Sequence, residues 1–215
     1  VQEKWRWLLV AAIFTGLAMS VKYTLVSVGI AGVLYVLVFA ERKSLLKSLL
    51  LFVVVAALVL APWLVRNWVF YGNPVYPFGP YTGEWDALKS QWYVTQDQAL
   101  LNRSPIGWVL LPFSVTMLAI EGGEFGSATI TPLFILLIPF LMMTWGRLSQ
   151  DRRDILKRMA VFMFGVYVFW MYSSTVSIHG TQTRLYYSIF PLLALIAAFI
   201  GPLGTTISDC SRIVV

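Results

Sequence analysis

Apolar residues fall in long runs along this chain, and charged positions collect in the short gaps between them. Six runs stand out: Trp7–Val21, Tyr23–Ala40, Leu45–Val65, Ile130–Trp145, Met159–Val176 and Leu185–Leu203. About 20 mostly apolar residues cross a bilayer as a helix, and several runs reach or approach that length. The pattern predicts an all-α polytopic transmembrane bundle of about six spans. The first and fourth runs are short for a full crossing. A smaller tilt, snorkelling flanks or extension into the interface would accommodate them. Lys22 alone separates the first two runs, which reads as a helical hairpin turning there; one long bent helix is the rival.

Residues 67–129 break the pattern. This stretch is too small and too irregular for an independent domain, so the chain reads as a single transmembrane domain, 1–215, with a loop region inside it. Gly72-Asn73-Pro74, Pro77, Gly79-Pro80 and Gly83 are turn signals. Trp85–Leu101 is expected as a short helix with a mixed surface. Ser104 is an N-cap followed by Pro105 at the first helical position. The apolar helix it starts, Ile106–Ile120, is expected to lie in the outer interface and to end at Glu121-Gly122-Gly123-Glu124. A full crossing would put that acidic turn and the basic 146–158 segment on the wrong sides.

Charge orients the spans. Hydrophobic residues make up 59% of the chain and charged residues 12%, against about 25% charged in soluble domains. With six spans, one side carries Lys4, Arg6, Arg42, Lys43, Lys47, Arg147, Arg152, Arg153, Lys157, Arg158 and Arg212, eleven of the sixteen basic residues. The other side carries Lys22, Arg66, Lys89, Arg103 and Arg184. The richer side is expected to be cytoplasmic. Both termini of the segment then lie in the cytoplasm, the 67–129 loop lies outside, and charge favours the turn at Lys22 over the bent helix. The net charge of +6 is explained by loop cations meeting anionic lipid, not by nucleic acid.

Soluble-enzyme chemistry is scarce. Cys210 is the single cysteine, which excludes an internal disulfide. His179 is the single histidine, and one histidine makes no zinc site by itself. No glycine-rich phosphate loop, internal repeat or signal-cleavage pattern is present. The first residue is Val, so the chain is expected to be part of a longer protein.

What remains is a ring of polar groups at the outer membrane level. Lys22 caps the first turn, Arg66 and Asn67 end the third span, and His179, Gln182 and Arg184 lie between the fifth and sixth spans. Lys22, Arg66 and Arg184 at one depth are suited to a lipid-linked phosphate, Arg as a planar fork and Lys as a point charge. The bland alternative is that each cation snorkels to headgroup phosphates. Asn67, Tyr76, Trp85, His179 and Gln182 are candidates for lining a substrate cleft. The aromatics of the region equally suit an interfacial belt, where Trp and Tyr concentrate.

Three segments carry a resemblance: GLAMSVKYTLV (Gly16–Val26), PWLVRNWVFYGNPVYPF (Pro62–Phe78) and TRLYYSIFPLLALIAA (Thr183–Ala198). They resemble segments of bacterial polytopic glycosyltransferases of the GT-C class, which includes protein mannosyltransferases and the aminoarabinose transferase of lipid A. Thr129–Met143 resembles the same group, and the segments follow the family's order. The late motif holds one proline, Pro191, where two are common. The resemblance implies a polyprenyl-phosphate-sugar donor, transfer outside a bacterial inner membrane, and inversion at the anomeric carbon. It further implies an acidic catalytic residue in a first extracytoplasmic loop, which this sequence does not contain. That role is not moved to Glu84 or Asp86, which read as solvated loop charges. No nucleotide is needed; relatives can use a divalent metal, for which this segment offers no ligand cluster. Expected partners are the polyprenyl-phosphate-sugar lipid and membrane lipids. Two other classes stay open: a transporter or flippase of a lipid-linked substrate, which would want ionisable residues at the membrane midplane, and a non-catalytic membrane scaffold.

Overall fold

The computed structural model describes residues 2–76, 104–117, 132–176 and 186–200. The described residues form an all-α bundle without strands. Its helices are α1 (Gln2–Val21), α2 (Val26–Phe39), α3 (Leu45–Tyr71), α4 (Pro105–Met117), α5 (Pro132–Thr144), α6 (Gln150–Val176) and α7 (Phe190–Ile200). Short 3-10 turns precede α2 (Tyr23–Leu25) and α7 (Tyr187–Ile189), and another follows α5 (Trp145–Arg147).

The chain turns at Lys22. Its backbone is extended, with φ −154° and ψ 130°, so the helix of the first run stops there. The turn is closed by the Leu25 amide donating to the Lys22 carbonyl at 2.9 Å. Beyond it α2 runs back along α1. Gly29 faces Met19 and Thr15, Val36 packs near Ala12, and Lys4 pairs with Glu41 at 3.0 Å. The single bent helix is thereby excluded.

Small residues set how closely the helices approach. A methyl added at Gly16 would lie 2.6 Å from the Ala56 carbonyl oxygen, so the α1 and α3 backbones meet closely there. Leu8 and Ala12 cluster with Leu45, Leu49 and Phe52, and Tyr23 bonds Trp63 and Asn67, so the two helices run parallel. Phe52 of α3 fills the space beside Gly32 of α2. A methyl added at Gly165 would lie 2.6 Å from the Ala31 Cα, which seats α6 directly on α2. In lipid, helices gain little from burying apolar surface against each other, and such close van der Waals contact is what holds them.

Two further clusters complete the packing. Leu111 and Val115 of α4 join Ala31, Val166, Trp170, Tyr186 and Ile189 in one buried cluster. Leu148, Leu156 and Ile196 form the other, which ties α6 to α7. Large side chains point outward along the shafts, with Phe14 and Leu58 each 66% exposed and Met143 80%. A soluble monomer rarely carries so much contiguous apolar surface. Three helical stretches, Lys4–Val21, Leu45–Tyr71 and Gln150–Ser174, are long and apolar enough to cross a membrane. Shorter apolar helices lie at Tyr23–Phe39, Pro105–Val115, Leu136–Arg147 and Tyr187–Ala198. The chain is an integral membrane protein.

The helices depart from the sequence expectation at three places. The third run does not end at Val65: α3 continues through Arg66 and Asn67 to Tyr71, where Gly72 at φ 65° takes the left-handed conformation and its amide bonds the Trp68 carbonyl. That conformation disfavours any residue with a Cβ, which is why glycine stands there. Helix α6 begins nine residues ahead of the apolar run, so the basic segment 150–158 is its first turns. The helix expected at Ile106–Ile120 is present from Pro105, and Ser104 Oγ accepts from the Gly107 amide at 2.9 Å as an N-cap. It is more than a surface element, because Leu111 and Val115 are fully buried against α2, α6 and the Tyr186–Ile189 turn. Its 13 described residues extend about 20 Å. The expected helix Trp85–Leu101 lies outside the described residues.

Candidate functional site

The alternation of helix directions collects the described charges at two ends. At one end are Lys4, Glu41, Lys43, Lys47 and Arg158, with Arg158 Nη1 donating to Tyr35 Oη at 3.2 Å. At the opposite end are Lys22, Arg66, Asn67 and Tyr76. This is the grouping that the reversals between α1, α2 and α3 require.

The site at the second end is built on Tyr23, the residue just past the Lys22 turn. Its hydroxyl oxygen accepts from Trp63 Nε1 at 3.2 Å and from Asn67 Nδ2 at 2.5 Å. Trp63 and Asn67 are four residues apart on α3 and therefore share one face of that helix. Their donors converge because α1 and α3 are parallel, which brings the end of the first turn level with residues 63–67. Asn67 is 2% exposed, and its amide also donates to the Pro74 carbonyl at 3.4 Å, tying the helix to the segment that follows it. Asn73, itself buried, accepts from the Val75 amide through Oδ1 at 3.0 Å, and Tyr76 stacks on Tyr71 at 4.1 Å between ring centroids. The chain thus leaves α3 along a fixed path.

The cations project from this framework. Arg66 is exposed, and its guanidinium lies 5.1 Å from the Trp63 ring centroid and 5.4 Å from that of Phe70. Residues 63, 66 and 70 fall along one stripe of α3, so the two rings flank the guanidinium as its neighbours on the helix. Such contacts contribute roughly 0.5–1 kcal/mol at exposed positions and hold the fork in place. Lys22 is exposed on the turn beside Tyr23. Among the described residues neither cation has an acidic partner.

Of the residues singled out from the sequence, Lys22, Arg66, Asn67 and Tyr76 are thus brought to one end, with Asn67 turned inward and the two cations outward. Arg184, His179, Gln182 and Trp85 lie outside the described residues. Tyr186, two residues past Arg184, stacks on Trp170 at 4.9 Å within the cluster that includes Ala31 of α2. Tyr23 escaped the sequence reading as a site residue. Its signal was weak: one hydroxyl beginning an apolar run, with a Trp and an Asn spaced i, i+4 a whole hairpin later. The described carboxylates with placed side chains, Glu41, Asp151 and Asp154, all stand on segments at the other end. Among the described residues no three His, Cys, Asp or Glu side chains group as a metal site.

Residues 1–66, which end at Arg66 and contain Lys22, Tyr23 and Trp63, match the model of a family described as dolichyl-phosphate-mannose-protein mannosyltransferase. The match supports a membrane glycosyltransferase of the protein-mannosyltransferase kind. No curated protein and no solved structure matches the chain.

Proposed function

We propose that this chain is the donor-binding part of a glycosyltransferase that moves a sugar from a polyprenyl phosphate to an acceptor outside a bacterial inner membrane. The observation that carries the reading is the family match, whose span of 1–66 covers the hairpin and the helix that bring Lys22 and Arg66 to one end. By the orientation rule for basic residues that end is extracytoplasmic, and both ends of the segment are cytoplasmic.

In this reading the lipid tail lies between helices and the phosphate rests at the rim. When the glycosidic bond breaks, negative charge grows on the departing phosphate. Lys22, Arg66 and Arg184 stabilise that charge, which is where preorganised cations contribute most to rate. Tyr23, Trp63 and Asn67 do not touch the phosphate. They fix the turn and α3 relative to one another, and so the spacing of the two cations. Tyr76, Trp85, His179 and Gln182 line the sugar and acceptor cleft. The acceptor hydroxyl needs a base, which is assigned to the acidic residue of the first extracytoplasmic loop that the resemblance implies, and not to Glu84 or Asp86. The products are the inverted glycoside and the polyprenyl phosphate.

The test is transfer of labelled sugar from its polyprenyl phosphate in membranes containing the full-length enzyme. Arg66→Ala and Arg184→Ala are each expected to lower transfer by about a hundredfold, the scale of losing one transition-state charge contact. Arg66→Lys is expected to recover part of it, since a point charge replaces a fork. Full activity in both alanine variants rejects the assignment. Among the described residues, the midplane portions of the helices hold no ionisable acid or base, which disfavours the transporter reading.

A further inference from the structure

At the end of the bundle opposite Lys22 and Arg66, α1, α2, the turn before α3, α3 and α6 line an open cavity of 470 Å³. Its wall has two zones. Trp5, Leu8, Val36 and Phe39 form an apolar zone along the helix shafts, and Lys4, Lys43, Lys47 and Arg158 form a cationic zone at the mouth. Four cations face one lining carboxylate, Glu41, which is already paired with Lys4 at 3.0 Å. Lys43 and Lys47 have no ion-pair partner among the described residues. Arg158 is held in position by the Tyr35 hydroxyl at 3.2 Å and by the Phe39 ring, 5.1 Å from its guanidinium carbon. Asp154, one turn away on α6, is occupied by Lys157 and Gln150. Ser48 also lines the cavity; it is 8% exposed, and its hydroxyl has no partner among the described residues.

We propose that this cavity binds the phosphate group of an anionic membrane phospholipid. The chemistry of the wall selects such a ligand. Lys43, Lys47 and Arg158 supply charge-assisted donors suited to phosphate oxygens, and the Ser48 hydroxyl supplies a neutral donor beneath them. A soluble phosphate would use only the mouth. An acyl chain additionally uses the apolar zone of Trp5, Leu8, Val36 and Phe39. Basic pockets between helices at the positive face of a membrane protein are suited to anionic headgroups. This site is separate from the one proposed for the sugar donor, and its test does not depend on transfer.

The experiment is native mass spectrometry of the purified full-length protein, titrated with phosphatidylglycerol or with phosphatidylcholine of the same acyl chains. Phosphatidylglycerol is expected to be retained in preference. Lys47→Gln is expected to lower that retention about five-fold, the value of one basic residue at a lipid surface, while Lys47→Arg preserves it. Arg6→Gln removes a nearby exposed cation outside the cavity wall and is expected to change nothing. Equal retention of the two lipids, or equal losses in Lys47→Gln and Arg6→Gln, overturns the site in favour of general surface attraction. Displacement of phosphatidylglycerol by millimolar inorganic phosphate overturns the lipid assignment.

Discussion

The two ends of the bundle solve the same problem, how a helix leaves a membrane, with opposite chemistry. At the Tyr23 end, neutral groups bond one another: a phenol, an indole and an amide meet at one oxygen, and Asn67 is almost completely buried. At the Arg158 end, cations crowd the mouth of the cavity, and the Lys4–Glu41 ion pair is exposed on both sides, Lys4 by 80% and Glu41 by 72%. Buried neutral donors cost much when orphaned, whereas exposed pairs contribute little because water screens them. The Tyr23 end therefore governs geometry, and the Arg158 end governs charge. The few cations at the Tyr23 end flank a part-buried, hydrogen-bonded Tyr23–Trp63–Asn67 group, the arrangement the proposed donor site relies on. Those at the other end gather around a cavity, which is what retention of an anion needs.

Breaking the comparison outright requires moving an end to the wrong side. In a Cys210→Ser background, Val75→Cys and Ser149→Cys are expected to react with an impermeant thiol reagent from opposite faces of sealed vesicles. Labelling from the same face would dissolve the distinction between the ends. The next largest effect is expected where the shafts meet. Gly165→Leu has only the Ala31 backbone to push against, so it is expected to destabilise the bundle by about 3 kcal/mol, read as thermal unfolding in detergent. Gly146→Leu, with open space around it, is expected to be silent.

A smaller effect sharpens the contrast itself. Asn67→Leu leaves the Pro74 carbonyl and the Tyr23 oxygen without that donor, and is expected to cost about 1–3 kcal/mol. Lys4→Gln removes the exposed pair and is expected to cost less than about 1 kcal/mol, a difference that vanishes in high salt. Both are read in the same unfolding assay. If Lys4→Gln proved the more damaging, the assignment of geometry to one end and charge to the other would be reversed.

Much of this was legible in the sequence. The apolar runs marked the helices because lipid forces backbone groups to bond within each segment, and keeping Lys4 and Arg6 on the base-rich side favoured the turn at Lys22. Arg66 was misleading as a helix end. A charge marks where a helix leaves the apolar layer, and the hydrogen-bond ladder ignores that boundary; only Gly72, able to adopt φ 65°, stops it. The basic segment at 150–158 misled in the same way. Tyr23 was illegible because its role depends on α1 and α3 lying parallel in close contact through Gly16, a tertiary fact with no local trace. The cavity was hidden for the same reason, since Lys4, Lys43 and Arg158 share a wall only once α6 has packed back against α2.

The bonds at the Tyr23 hydroxyl span 40 and 44 residues of sequence, which has a consequence for biogenesis. While the chain is being made, the α1–α2 hairpin enters the membrane before α3 exists. Tyr23 then waits at the water surface beside Lys22, its hydroxyl bonded to water. Only when α3 has been synthesised and has docked along Gly16 do Trp63 and Asn67 arrive to replace that water. The junction between Tyr23 and α3 is thus a late checkpoint of assembly. A ribosome stalled before residue 63 would leave an inserted hairpin with its Tyr23 corner still hydrated, open to quality-control proteases until the third helix arrives.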